Sequence, residues 1–359
     1  MKTKTLLVDS SFLLKRSIHG AKNVYTNKFG HIGGLYQFLT KLRKLIKENQ
    51  INKVVLAWDG ENGGVYRHNI DPAYKANRKD KHWNEKIVMS DYEIRKENEK
   101  DESILKQRKR IQAYAEELFL RQIEVENVEA DDIIAAYCQD YHNKEDIIIY
   151  TNDRDFVQLL KLNIQIIFDN IDMIIDKQSF FLNFPYDYKN GLTMKIIEGD
   201  TSDNIKGIAG IKEKTLLNHF PELKDRYVSV KEICIKADKI NEERVAKKMK
   251  PLQALSNLTK NVVRLRMNHQ LINLDEPFLN DKAEEELLQL AFPLSDENRN
   301  SKNLYNMMIE DEFLTVYSGN FVNYIEPFYP VIMNEKKILK LFTHGRKNHW
   351  HIRKFNVYL

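Results

Sequence analysis

The chain has 359 residues, of which 42% are hydrophobic and 30% charged, with a formal net charge of +4. That length buries a real core and allows two domains, and the composition excludes a disordered chain. Two cysteines in unrelated contexts, Cys138 and Cys234, exclude a disulfide framework and a cysteine-rich zinc site and fit a reducing cytoplasm.

The start, "MKTKTLLVDSSF", carries only a short apolar run before Asp9, and no later run approaches membrane-spanning length. A soluble, non-exported protein is expected. "TLLVD" (5–9) and "KVVLAWD" (53–59) are short apolar runs ending in Asp, as buried parallel strands read. Between them, Leu35, Phe38, Leu39, Leu42, Leu45 and Ile46 share one helical face, which completes a strand, helix, strand unit. The pattern continues with a helix over 104–121, a helix opening at Asp131, a strand over 146–153, a helix near 155–161 and the pair "IQIIF" and "MIID". This alternation predicts an α/β core with a mainly parallel central sheet flanked by helices. From about residue 191 helical patterns dominate, which marks a second, helical region.

Two segments break the regularity. Residues 79–110 are densely charged with both signs mixed, the pattern of a solvated helix or loop, and the tail from Tyr329 to Leu359 is basic and aromatic. No internal repeat or low-complexity tract occurs.

Carboxylates cluster at the ends of the predicted strands. Asp9 and Asp59 end two of them, Asp153 and Asp155 follow a third, and Glu129, Asp131 and Asp132 lie in the turn entering a helix. In an open parallel sheet those ends face one ligand-binding edge. Asp200 and Asp203, in "EGDTSDNIKG", sit in a polar turn that could close over the same edge. Each alone reads as a turn or capping residue. Their recurrence after every core strand points to a shared site for hard divalent cations, which take oxygen ligands. With nine acids gathered there, the rest of the chain would carry about +13, which favours a polyanionic partner.

"VYRHNIDPAYKANR" (65–78) brings Arg67, Tyr74, Lys75 and Arg78 directly after Asp59, where Arg and Lys can bind phosphate and Tyr can stack on a base. In "GIAGIKEKT", Gly207 and Gly210 bracket a tight turn before a helix, with Lys212 and Lys214 adding positive potential. A lone G-x-x-G is most often only a turn; with the sequel here it resembles a helix-hairpin-helix element that grips a DNA backbone without reading sequence.

Taken in order, "LLVDSS", "VVLAWDGENGGVYRHNIDPAYKANR", "VEADDIIA", "IYTNDRDFVQLL" and "GDTSDNIKGIAGIKEKT" resemble the 5′ nucleases: flap endonucleases, the 5′ nuclease domain of bacterial DNA polymerase I, and phage replication exonucleases. The set spans residues 5 to about 220, and the overall length looks closest to phage replication nucleases such as the T-even phage RNase H. The resemblance implies a PIN-like core over residues 1–190 with a helical arch over 79–110, a helix-hairpin-helix DNA-binding region over 191–295, and a C-terminal extension over 296–359. It implies one Mg²⁺ held by Asp9, Asp59, Glu129 and Asp131, with Asp132 near, and a second held by Asp153, Asp155, Asp200 and Asp203, with Mn²⁺ as a substitute and K⁺ at the hairpin. Lys75 and Arg78 would act on the scissile phosphate, Tyr74 would stack on a terminal base, and Arg67, Gly207, Gly210, Lys212 and Lys214 would contact DNA. The implied substrate is DNA with a 5′ flap, nick or RNA primer, cut by a monomer in a bacterial or phage-infected cytoplasm, with a single-strand-binding protein or polymerase clamp as protein partner. Lys212 stands where many members of the family have a second glycine, a departure at the hairpin. The competing readings are a PIN-type endoribonuclease, which is usually much shorter and lacks hairpin and arch, and an inactive structure-specific DNA-binding homologue, which would be expected to have lost ligands. A two-component receiver explains neither the hairpin nor the basic run.

Overall fold

A computed structural model of the chain describes residues 2–77, 91–294 and 299–348, with the side chains of 91–98, 100 and 341–348 outside the description. Arg78 and residues 79–90 of the expected arch lie outside the described residues.

The apolar runs form the expected strands. β1 (Lys4–Asp9) is followed by α1 (Ser10–Gly20), a short hairpin of β2 (Tyr25–Thr26) and β3 (Gly30–His31), α2 (Gly33–Asn49) and β4 (Lys53–Trp58). Next come α3 (Val65–Ile70), α4 (Asp91–Glu117), β5 (Arg121–Glu124), α5 (Ala130–Tyr141) and β6 (Asp146–Thr151). A 3₁₀ helix (Arg154–Leu162) stands where a helix near 155–161 is predicted, and β7 (Gln165–Phe168) and β8 (Met173–Ile175) close the series. The sheet order is β5-β4-β1-β6-β7-β8, with β8 antiparallel to β7 and the other pairings parallel. β5 escapes the sequence reading because its "RQIE" carries one apolar residue. Its Arg121 is nevertheless 3% exposed, held by Glu335 at 2.6 and 2.8 Å, so a tertiary partner rather than hydropathy places the strand.

Both faces of the sheet are covered, as a parallel sheet requires. Alternation along β1 sends Leu7 to one core and Leu6 and Val8 to the other. The first core takes in α5, the 3₁₀ helix and the helical region of α6 (Gly191–Glu198), α7 (Glu213–His219), α8 (Val230–Ala246), α9 (Gln253–Lys260), α10 (Val262–Ile272) and α11 (Asp281–Gln289), while the hairpin of β9 (Gly199–Asp200) and β10 (Ile205–Lys206) packs Ile205 into a small separate cluster with Tyr74, Leu271 and Ile272. The second core holds α1, α2 and the end of α4, with Phe38 stacked on Trp58 at 5.7 Å. The predicted face of α2 is buried there throughout.

The chain then returns to this second core through α12 (Ser301–Glu310), α13 (Phe313–Tyr317), α14 (Phe321–Ile325) and α15 (Tyr329–Asn348). Leu304, Met308, Phe313, Tyr324, Phe328 and Val331 are buried against the residues of α2 and α4. The described part of the tail is therefore part of the core built on the sheet.

Candidate active site

The strand order reverses direction around β1, with β4 on one side and β6 on the other, and such a switch opens a crevice at the carboxyl ends of the strands. Local geometry then aims the acids into it. Asp9 caps α1, accepting from Phe12 N at 3.0 Å, while Thr151 Oγ1 donates to its other oxygen at 3.2 Å. Asp59 accepts from Ala130 N at 3.0 Å, which ties the end of β4 to the start of α5. Asp153 caps the 3₁₀ helix through Asp155 N at 2.8 Å. The capping reading and the site reading are thus both satisfied by the same side chains.

The turn over 200–204 is locked beside them. Gly199 has φ +71°, and a Cβ on Gly207 would fall 1.9 Å from Glu198 O, so the β9–β10 hairpin closes only with glycine at these two positions. Lys75 N donates to Asp203 O at 2.8 Å and Asn204 Nδ2 to Ala73 O at 2.7 Å, which joins the turn to the basic segment after α3.

The result is a cleft of about 490 Å³ lined by Asp9, Asp59, Asp131, Asp153, Asp200 and Asp203, with Ser11, Phe12, Lys15, Lys75, Asn152, Arg154, Lys195 and Ser202. Six of the nine carboxylates singled out in the sequence face it. Glu129 lies just behind Lys75, and Asp155 just behind Lys195.

Two ammonium groups hold the acids together. Lys75 pairs with Glu129 and stands 3.9 Å from Asp203. Lys195 stands 2.8 Å from Asp155 and pairs with Asp200. Burial alone would depress the Lys75 pKa, but Glu129, Asp203 and Asp131 outweigh it and raise it; the Lys195 pKa is raised by Asp155, Asp153 and Asp200 against the same burial. Both therefore stay charged at neutral pH. The carboxylates divide accordingly. Burial would raise Glu129 and Asp200, yet Lys75 and Arg67 lower the first and Lys195 the second. Asp9 is pushed up to about 7 by burial and by Asp59, and Asp155 to about 8 by burial and Asp153. Asp131 is raised well above the usual range by burial, Asp153 and Asp9.

These residues fit a divalent cation by the chemistry of the donors. All the candidate ligands are carboxylate oxygens, and three of the acids resist ionisation because they are buried and crowd one another, a strain that a bound cation would relieve. Asp155 Oδ1 is buried with no donor aligned for a hydrogen bond on it, although Lys195 Nζ is close as an ion pair. Among the described residues no three acids are already drawn together at one ion's ligating geometry. The two lysines occupy the intervening space.

Three of the expected site residues lie outside the lining of the cleft. Asp132 does not join the cleft: it is fully buried and bidentate with Arg67, at 2.6 and 2.9 Å, and accepts from Phe278 N at 3.0 Å. Arg67, 4% exposed, also reaches Glu129 at 2.7 Å and Leu271 O at 2.9 Å, so its guanidinium is engaged within the protein. Tyr74 is 2% exposed, with its hydroxyl donating to Glu129 Oε2 at 2.9 Å and standing 3.3 Å from Asp203, which leaves its ring no face for a base. Asp131 and Asp132 point apart on the first turn of α5, whereas Tyr74 and Lys75 converge on the same two carboxylates, Glu129 and Asp203.

Other residues went unnoticed in the sequence. Lys195 is the only basic residue of α6 and lies one turn before the Gly199–Asp200 step, a spacing that could have marked it. Arg108 of α4 donates to Asp59 O at 2.9 Å, a link hidden in a densely charged run. At the hairpin, Gly210 has φ +82°, whereas Lys212 has φ −137°, so a lysine replaces the second glycine without backbone strain. Lys212 and Lys214 are exposed. No described helix is long and apolar enough to cross a membrane.

Comparison with known proteins agrees with this geometry. Residues 4–184 match the family described as 5′-3′ exonuclease, N-terminal resolvase-like domain. The chain is 31% identical over 234 residues to a 5′-3′ exonuclease of Mycoplasmopsis pulmonis, covering 63% of this chain and 70% of the relative. It is 30% identical over 220 residues to a 5′-3′ exonuclease of Bacillus subtilis, covering 59% and 68% respectively. Among solved structures, the T5 5′-exonuclease with bound divalent zinc ions superposes with a TM-score of 0.59 at 19% identity, covering 87% of this chain and 99% of that one. The bacteriophage T5 flap endonuclease in complex with DNA and metal ions gives 0.59 at 17% identity, covering 86% and 99%.

Proposed function

The chain belongs to the 5′-3′ exonuclease family, phosphodiester hydrolases that act on DNA, and from that premise we propose that the acidic cleft is its catalytic centre, holding two Mg²⁺ ions and cutting at 5′ ends and 5′ flaps. Asp9, Asp59, Asp131, Asp153, Asp200 and Asp203 would hold the ions, with Glu129 and Asp155 behind them. The observation that carries this reading is the meeting, in one cleft, of carboxylates from three parallel strand ends and the 200–203 turn with two lysines that remain charged.

When bound, such a pair of cations lowers the pKa of an attacking water and balances charge on the attacking and leaving oxygens. The residues supply the rest. With Glu129, Asp155 and Asp200 engaged by the ions, Lys75 and Lys195 would be released from their carboxylate partners and could turn to the anionic phosphate. Lys75 is held at the cleft by its own backbone, bonded to Asp203 O, so its ammonium is positioned rather than merely nearby. Relatives crystallised with DNA and metal ions support this reading by fold.

The test is cleavage of a 5′-flap duplex, a nicked duplex and an RNA:DNA hybrid in Mg²⁺ and in EDTA. Release of short 5′ fragments with 5′-phosphate and 3′-hydroxyl ends, in Mg²⁺ alone, is expected. Binding without cleavage would instead indicate an inactive homologue, and cutting only of unstructured RNA would indicate an endoribonuclease.

A further inference from the structure

Residues 244–274 contain no Asp or Glu. With 52 acids in 359 residues, a stretch of that length would hold about four by composition alone. The same stretch carries Arg244, Lys247, Lys248, Lys250, Lys260, Arg264 and Arg266. Its fold places part of this charge beside the hairpin. The end of α8, the turn after it and α9 form a tip that leans on the Gly207–Gly210 turn: Asn257 Nδ2 of α9 donates to Ala209 O at 2.9 Å, and a Cβ on Gly210 would touch Ala254 at 3.4 Å.

The tip is built rather than loose. Met249 N donates to Arg244 O at 2.8 Å, and Arg244 Nε to Lys250 O at 2.9 Å, which closes the turn. Asn241 then clasps α9, accepting from Leu252 N at 2.7 Å and donating to Ser256 Oγ at 3.0 Å. Lys247, Lys248 and Lys250 are exposed, and none makes an ion pair with a described residue. Lys260 is exposed one turn beyond Asn257, on the same helical face. Arg264, by contrast, is spent on Asp71 at 2.8 Å.

We infer that the α8–α9 tip, through Lys247, Lys248 and Lys250, and Lys260 of α9 form a phosphate-contact track for the duplex part of the DNA, continuous with the Gly207–Gly210 turn. This inference rests on the reading of the cleft as a DNA nuclease site. Exposed lysines in a stretch that holds no acid after Glu243, on a scaffold bonded to a turn whose amides can approach phosphate, match a polyanion with regularly spaced charges. The eight-residue α9 rises about 12 Å, and with the closed turn before it the track covers about four to six base pairs of duplex.

The test measures binding in EDTA, where no cleavage is needed, using flap substrates whose hairpin-closed duplex arm is about 20 or about 6 base pairs long. The variant Lys247→Gln/Lys248→Gln/Lys250→Gln is expected to bind the long-arm substrate about ten- to thirty-fold more weakly and to reduce the slope of log K against log salt by about two to three. On the short arm the loss is expected to be several-fold smaller. A control variant, Lys47→Gln/Lys144→Gln, removes charge at the opposite edge of the sheet and should leave the slope unchanged, with thermal melting checking that both variants fold. An unchanged slope in the triple variant, or the same loss on both arms, overturns the inference. Failure of the nuclease reading itself would show separately, as absence of Mg²⁺-dependent cleavage by the unmodified chain.

Discussion

Lys195 Nζ stands 2.8 Å from Asp155 Oδ1 and also pairs with Asp200, so one ammonium on α6 bridges carboxylates from two segments of the cleft. If that ammonium does in the metal-free chain what a cation does in the working one, Lys195→Met should lower the melting temperature in EDTA by several degrees, since it strands buried acids. Adding Mg²⁺ should then raise the melting temperature more in the variant than in the unmodified chain. Equal gains in the two proteins would show that the lysine and the cation do not share a place.

The raised carboxylates make a pH prediction with a definite sign. Asp9 at about 7 and Asp155 at about 8 lie above their unfolded value of 3.8, so the folded chain holds extra protons between those limits. Stability from these groups is greatest at low pH and is lost as pH rises through the folded values. In EDTA the chain should therefore melt at a lower temperature at about pH 8.5 than at about pH 5.5, and Mg²⁺ should shrink the difference by replacing the protons. Melting curves at both pH values, with and without metal, check it; a chain more stable at the higher pH in EDTA would contradict the crowding of these acids.

Asp131 and Asp132 are neighbours with opposite roles, and the sequence does not separate them. Strand ends, the acid at each of them and the glycine turn were legible because hydropathy and backbone demands write directly into residue type. The direction of a side chain on the first turn of α5 was not, since it depends on which helix face meets Arg67, an element some sixty positions away. The same limit hid β5, whose Arg121 is buried only because Glu335 comes to meet it from the end of the chain. Lys195 stayed hidden for a related reason: one lysine on a short apolar helix carries no pattern until the fold turns it toward Asp155.

That distinction is measurable by substitution. Asp153→Asn keeps the shape of a cleft residue while removing its charge, and should lower kcat by at least about a hundred-fold with DNA affinity in EDTA little changed. Asp132→Ala should behave differently. It leaves Arg67 buried without its bidentate partner, at a cost of about 3–5 kcal/mol, in metal and EDTA alike. Comparable kcat losses in the two variants, with unchanged stability in both, would return Asp132 to the metal site.

The tail supplies the last prediction. The matched family segment ends at residue 184, well before the helices that follow residue 299. Those helices bury Leu304, Met308, Phe313, Tyr324, Phe328 and Val331 against α2 and α4, at roughly 1.5–3 kcal/mol each. Asp311 joins the same helices to α4, accepting from Arg110 Nε at 2.7 Å and Tyr114 OH at 2.9 Å. Two residues before Arg110 on α4, Arg108 holds the carbonyl of Asp59, so loosening this helix would reach the cleft. Removal of residues 300–359 also strips Glu335 from the buried Arg121. Together these losses are comparable with the whole stability of an ordinary domain, about 5–15 kcal/mol. The truncated chain should be insoluble or lack a cooperative melting transition and near-UV circular dichroism. In the full-length chain, the milder Asp311→Asn should speed amide exchange along α4 before it alters exchange in β6. A truncated protein that melts cooperatively at the unmodified temperature would mean that the second core is complete without the tail, and that the buried contacts of α12–α15 contribute little to holding α4 over the site.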